Sequence, residues 1–141
     1  MKATPYNQKM IDEFHAKKGL GVGPFGDHVL LLTAKGAKSG EHITTPLVYR
    51  REGDTYVVIA SKGGAPTHPL WFTNIQVDPD VEVEVASAGA TETFRAHARV
   101  QASGPERDRL YTEQAKVWPA FLEYQKKTSR VIPVVVLERQ K

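Results

Sequence analysis

Cysteine is absent from the chain. Its absence excludes disulfides, zinc-thiolate centres, iron–sulfur clusters and a thiol nucleophile. Long apolar runs are missing too: VIPVVVL, 131–137, falls far short of the roughly 18 residues a membrane-spanning helix needs. No apolar stretch near Met1 reads as a leader, and a cytoplasmic protein is expected. Metal-ligand pairs are lacking, because His15, His28, His42, His68 and His97 never recur at ligating spacing, so no metal is expected. There is no nucleophile elbow and no clear acid–base carboxylate pair. Asp78 and Asp80 flank Pro79 in a helix-stop turn, while Glu82 and Glu84 share a strand face near cations. With so little side-chain chemistry on offer, a bound cofactor should carry any reaction.

What is present begins with a mild basic excess, net charge +3, which favours an anionic ligand or surface. Tyr6, Met10 and Phe14 recur four apart with Ile11 beside them, predicting an amphipathic helix over 6–18. Packed over the main domain, that stripe would be core. Laid on anionic lipid with Lys9, Lys17 and Lys18, it would be a peripheral contact at the inner face of the membrane. Strands are predicted at 28–34, 44–51 and 55–61, then, after a short helix over 68–76, at 81–85 and 94–100. In the last two, strict alternation puts Val81, Val83, Val85, Phe94, Ala96 and Ala98 on one face and Glu82, Glu84, Arg95, His97 and Arg99 on the other. Ser103 with Glu106 predicts a capping box opening a helix to about Trp118, Pro119 starts another turn, and 131–139 closes as a strand. Six short strands without βαβ alternation argue an α+β protein built on a small antiparallel barrel. No composition shift divides it, so one domain over 1–141 is expected, with 1–27 as helix and glycine-rich connector.

Two strings imitate phosphate motifs. GVGPFG, 21–26, has the spacing of a dinucleotide fingerprint but no preceding strand, and Pro24 interrupts it; a flexible connector is the simpler reading. GAKSG, 36–40, lacks the glycine before lysine that a P-loop requires. It reads as a hairpin turn with a solvated lysine, or as an anion nest in which Gly36 and Gly40 let amides converge beside Lys38 and Ser39. SKGG, 61–64, lets backbone approach a flat ligand, and a helix starting near His68 with Pro69 at its first position adds a positive dipole end. A nucleic-acid module of the OB type is disfavoured, because no aromatic interleaves with Arg95, His97 and Arg99.

The ordered series LLLTAKGAKSGEHITTPLVY, GDTYVVIASKGGAPTHPLWFTNIQVDPDVEVEV, ERDRLY and PAFLEYQKKTSRVIPVVVLER resembles the deazaflavin-dependent nitroreductase family, of the actinobacterial type that uses coenzyme F420. The similarity runs from about residue 28 to the C-terminus. It implies a split β-barrel like that of the FMN-binding oxidoreductases, and hydride transfer from the reduced cofactor to a quinone, nitroaromatic or other activated acceptor. A homodimer is compatible with it. A split-barrel protein holding FMN or another small cofactor, or a non-catalytic deazaflavin carrier, is the alternative.

Carried over by position, the resemblance puts the cofactor's phosphate and tail on Ala37, Lys38 and Ser39. Its next cofactor stretch is Ile43, Thr44, Thr45, Pro46 and Leu47. The ring contacts fall on Ala60, Ser61, Lys62, Leu70, Trp71, Phe72, Thr73 and Asn74. Val48, Trp118, Phe121 and Tyr124 would meet the acceptor, with Tyr124 and Ser61 as catalytic candidates. Arginine is common in the family where Ala37 and Ile43 stand, which leaves Lys38 more of the attraction for the tail. Of the late aromatics only Tyr124 keeps a hydroxyl.

Overall fold

Residues 3–140 are described by the computed structural model; the first two positions of the expected 1–27 segment, and position 141, lie outside them. In chain order the elements are α1 (Pro5–Ala16), β1 (Val29–Lys35), β2 (His42–Glu52), β3 (Thr55–Ile59), α2 (Leu70–Val77), β4 (Asp80–Ser87), β5 (Ala90–Gln101), α3 (Pro105–Val117), α4 (Ala120–Lys126) and β6 (Val134–Arg139). The strands close an antiparallel barrel in the order β1-β2-β3-β6-β5-β4, with β4 returning to β1. This is the expected α+β split barrel of six strands with flanking helices.

Burial explains why the strands read so differently in sequence. β4 and β5 keep one face wet, so Val81, Val83, Val85, Phe94, Ala96 and Ala98 point into the barrel while the intervening charges do not. β1, β3 and β6 are covered on both faces and therefore read as continuous apolar runs. On one side Leu30, Leu32, Val58, Val135 and Leu137 fill the barrel. On the other, Val57, Ile59, Val134 and Val136 pack under α3 and α4, and Val29 and Leu31 pack under α1.

The helix ends differ from expectation in instructive ways. No side chain caps α3: Gly104 occupies the cap, and Glu106 instead pairs with Arg109 at 2.7 Å. Pro69 is the cap of α2 rather than its first helical residue, and His68 does not cap it. The glycine-rich connector is no free linker. Val22 is fully buried beside Phe14, its amide bonds the Gly26 carbonyl at 2.8 Å, and Gly23–Phe25 forms a 3-10 turn. α1 buries Ile11 and Phe14 on the barrel, so the stripe that a lipid contact would need is largely taken up by the protein itself.

Candidate functional site

A cleft of about 480 Å³ opens where α1, β2, the turn after β3, the start of α2 and α4 converge. That lies within the roughly 300–1,000 Å³ of small-molecule sites. Thr45, Pro46, Leu47 and Val48 form one wall, Ser61, Lys62 and Gly63 with Trp71 a second, and Trp118, Phe121 and Tyr124 a third. Tyr6, Asn7 and Met10 of α1 cover it with Phe25. Lys62 is the one charged side chain among these, and among the described residues no carboxylate lines the cleft.

Three devices hold the walls. The turn Lys62–Gly64 packs on α4 so closely that a Cβ on Gly64 would stand 2.6 Å from the Tyr124 carbonyl oxygen and 2.9 Å from Lys127 Cβ. α4 is pinned to α3 by the Tyr111 hydroxyl, which donates to the Phe121 carbonyl. Burial pushes the Tyr111 pKa up to about 12, keeping it a neutral donor. α3 in turn is tied to the barrel by buried Gln114, whose Nε2 donates to the Val57 carbonyl at 2.8 Å. Across the mouth, Phe25 meets Trp118 with ring centroids 5.0 Å apart, and Phe121 meets Tyr124 edge-on at 5.8 Å. Among the described residues, the Tyr124 and Ser61 hydroxyls have no hydrogen-bond partner.

A second recess, of about 440 Å³, lies at the far end of α2, between Val77 and Asp78 and the turn Gly36–Gly40. α2 has eight residues, so at 1.5 Å rise per residue the two sites stand about 12 Å apart. The expected nest is mostly self-satisfied. The Gly36 amide bonds the Glu41 carbonyl at 2.7 Å, Gly40 bonds Gly36 at 2.9 Å, and Ala37 bonds Asn74 Oδ1 at 3.0 Å. Ser39 Oγ accepts the Glu41 amide at 3.1 Å. Left for a ligand, among the described residues, are the Lys38 and Ser39 amides and the Lys38 ammonium.

The residues assigned from sequence therefore divide. Thr45, Pro46, Leu47, Val48, Ser61, Lys62, Trp71, Trp118, Phe121 and Tyr124 meet in the cleft. Ala37, Lys38 and Ser39 line the second recess. Phe72 and Ala60 are inside the barrel core, and Thr44 is buried beneath α1 with its hydroxyl 2.8 Å from that of Thr33. Leu70 and Thr73 face solvent, and Ile43 sits against the Gly36 turn. Asn74, expected at the ring, instead anchors the Ala37 turn, and its buried Nδ2 has no partner. Helical and strand parity decides these placements, and it depends on which face meets the barrel. Phe25 and Asn7 of the cleft wall, and Arg130, which bonds the Ser61 and Ala65 carbonyls behind it, carry no assignment from sequence. A phenylalanine within a glycine-proline turn was the one available hint of an ordered contact there; the other two carry no sequence signal.

The family model described as F420H(2)-dependent quinone reductase matches residues 7–139. A Mycobacterium tuberculosis protein named F420H(2)-dependent quinone reductase is 41% identical over 112 residues, 79% of this chain and 73% of its own. A solved F420-H2 dependent reductase superposes with TM-score 0.70 at 36% identity, over 79% of this chain and 94% of its own. A solved domain-swapped dimer does so with TM-score 0.70 at 32% identity, over 94% and 96%. With matches spanning nearly its whole length, the chain belongs to the F420H(2)-dependent quinone reductase family, as an F420-dependent reductase with a split-barrel fold.

Proposed function

We propose that the protein reduces a quinone with coenzyme F420, the ring lying in the cleft against Ser61–Gly63 and the anionic tail reaching the turn that carries Lys38. The observation that carries this reading is the pairing of a largely apolar cleft, lined by no carboxylate among the described residues, with a lysine-bearing recess at the two ends of one short helix. The residues present fit the group. Gly63 presents no side chain to a flat ring, the Ser61 hydroxyl is unengaged, and Lys38 has no carboxylate partner among the described residues. When bound, the reduced deazaflavin supplies a hydride.

The chain's own residues bind, align and shield. Trp71 and buried Phe72 fix α2 to the barrel, so its N-terminal end, with the favourable dipole, faces the cleft. Trp118, Phe121 and Phe25 offer flat apolar surface to an aromatic acceptor, and α1 excludes water above it. Tyr124 is placed to donate a hydrogen bond to an acceptor oxygen, and Ser61 to orient the ring. Lys38 attracts the phosphate and glutamate tail as a point charge. A homodimer belongs to the same reading, supported by the domain-swapped dimer among the solved relatives.

Titration with F420 and, separately, with FMN tests the cofactor assignment. Steady-state turnover with a quinone and with a nitroaromatic tests the acceptor. Selective, salt-sensitive F420 binding that weakens in Lys38→Glu, with faster quinone than nitro reduction, is expected. Equal affinity for FMN would overturn the cofactor assignment, and faster nitro reduction the acceptor.

A further inference from the structure

The turn that lines the cleft is held from behind by one side chain. Arg130 donates from Nε to the Ala65 carbonyl at 2.9 Å, from Nη2 to Ser61 at 2.8 Å, and from both Nη atoms to Ala60 at 3.3 Å. Its Nη1 also lies 3.2 Å from His68 Nδ1. Among the described residues no carboxylate pairs with it, so this cation gives its hydrogen bonds to neutral acceptors. It is locked in turn. Gln125 Nε2 donates to the Arg130 carbonyl at 2.8 Å, while Gln125 Oε1 accepts from Arg107 Nη2 at 2.5 Å and from the Ile132 amide at 3.1 Å. Buried Arg107 closes the network on the Ile132 carbonyl at 3.0 Å.

The consequence passes through the peptide plane. In a trans peptide the N–H points opposite to the C=O, and the described chain has no cis bond. Ser61 has right-handed helical dihedrals, φ −80° and ψ −39°, so the peptides before and after it point the same way. Both of their carbonyls face Arg130, which is not part of the cleft wall, whereas Ser61 and Lys62 are. Their amides face the other way, and among the described residues neither has an acceptor. A cation on the carbonyl side polarises the peptide and strengthens its N–H as a donor.

We infer that Arg130 is a positioning residue that turns the Ser61 and Lys62 amides into a paired donor site for an electron-rich oxygen or nitrogen of a flat heterocycle in the cleft. This extends the reading of the cleft as the F420 ring site and rests on it. The site is the backbone, so changing the Ser61 or Lys62 side chain to anything but proline leaves its donors in place; the lever is Arg130.

The test uses Arg130→Lys and Arg130→Met, with amide resonances followed by NMR. In ligand-free protein, Gly64 and Ala65, whose amides close the turn onto Ser61 and Lys62 at 3.0 and 3.1 Å, should exchange about tenfold faster or more in both variants, with Leu110 in α3 unchanged. Adding F420 to wild type should move the Ser61 and Lys62 amide protons downfield and protect them. In Arg130→Lys that response should shrink, the visible band of the bound cofactor should move, and Kd should rise about tenfold. Wild-type exchange at Gly64 and Ala65 in both variants overturns the inference, as does F420 binding that leaves both amides unmoved. If wild type binds no F420, the cofactor reading fails, and exchange in ligand-free protein decides the role of Arg130 by itself. Should Arg130→Met not fold, Arg130→Lys carries each comparison.

Discussion

Adding one methyl group to Gly64 should damage the protein in a way that the same change at Gly63 does not. Both residues have left-handed backbones, φ +86° and +64°, so alanine at either costs about 1–2 kcal/mol in conformation. The loss of glycine's freedom in the unfolded chain is common to both variants and drops out of the comparison. A Cβ on Gly63 meets nothing within 4 Å. On Gly64 it stands 2.6 Å from the Tyr124 carbonyl oxygen and 3.1 Å from Tyr124 Cα, backbone atoms that cannot rotate away. Overpacking of that kind adds about 1–3 kcal/mol. Gly64→Ala should therefore lose about 1–3 kcal/mol more than Gly63→Ala. At roughly 4 °C per kcal/mol for a chain this size, that is a Tm about 4–12 °C lower. The strain has one other outlet, displacement of α4, which would carry Tyr124 out of the cleft and lower turnover instead. Calorimetry and quinone-reductase kinetics on both variants cover the two outlets. A Gly64→Ala protein that matches Gly63→Ala in both Tm and turnover would refute the reasoning.

Tyr124→Phe removes an unpartnered hydroxyl and leaves the edge contact with Phe121; Tm and F420 affinity should hold while kcat falls by about 1–3 kcal/mol of transition-state stabilisation, and unchanged kcat would remove Tyr124 from the chemistry. Asn74→Ala should free the Ala37 amide and weaken binding of the full cofactor more than of a tail-less deazaflavin analogue; equal weakening in paired titrations would argue against a tail role for that turn. Partial desolvation and, secondarily, Arg130 lower the pKa of the exposed His68, so the folded state favours its neutral form. Its contribution is complete above the ordinary histidine value of about 6.5 and fades as pH falls through the lower folded value. Melting curves between about pH 7 and 5 should show a falling Tm whose slope is smaller in His68→Phe, above the range where Glu13, Glu52, Glu92 and Glu106, all held below the ordinary carboxylate value by cationic partners, begin to titrate. An identical slope would place the pH sensitivity elsewhere.

The fold was legible because alternation and continuous burial leave different marks: VEVEV can only be a half-wet strand, and VVIA or VIPVVVL a strand covered twice. The candidate site was legible in outline, since glycines beside lysine and the late aromatics announce a wall and a pocket. Its finer assignment was not. Phe72 and Trp71 are neighbours with the same composition signal and both pack into the barrel core, yet only Trp71 also reaches the cleft, a difference of helix rotation that only packing decides. The anion nest of GAKSG depended on which acceptors its amides would find, and three were claimed by Glu41, Gly36 and Asn74. Arg130 carries no signal in QKKTSR because its acceptors are carbonyls 65–70 residues away.

The place of β6 between β3 and β5 bears on how the chain can be made. The five strands synthesised before it cannot close the barrel, so until Val134–Arg139 leaves the ribosome both β3 and β5 present unpaired edges. Those are the edges on which another chain could dock. The same strand supplies Val135 and Leu137 to the barrel and Val134 and Val136 to the floor beneath α3 and α4. A nascent chain therefore gains its interior and the support of its cleft in one step, and a stop codon before Val134 should yield aggregate rather than a weakened enzyme.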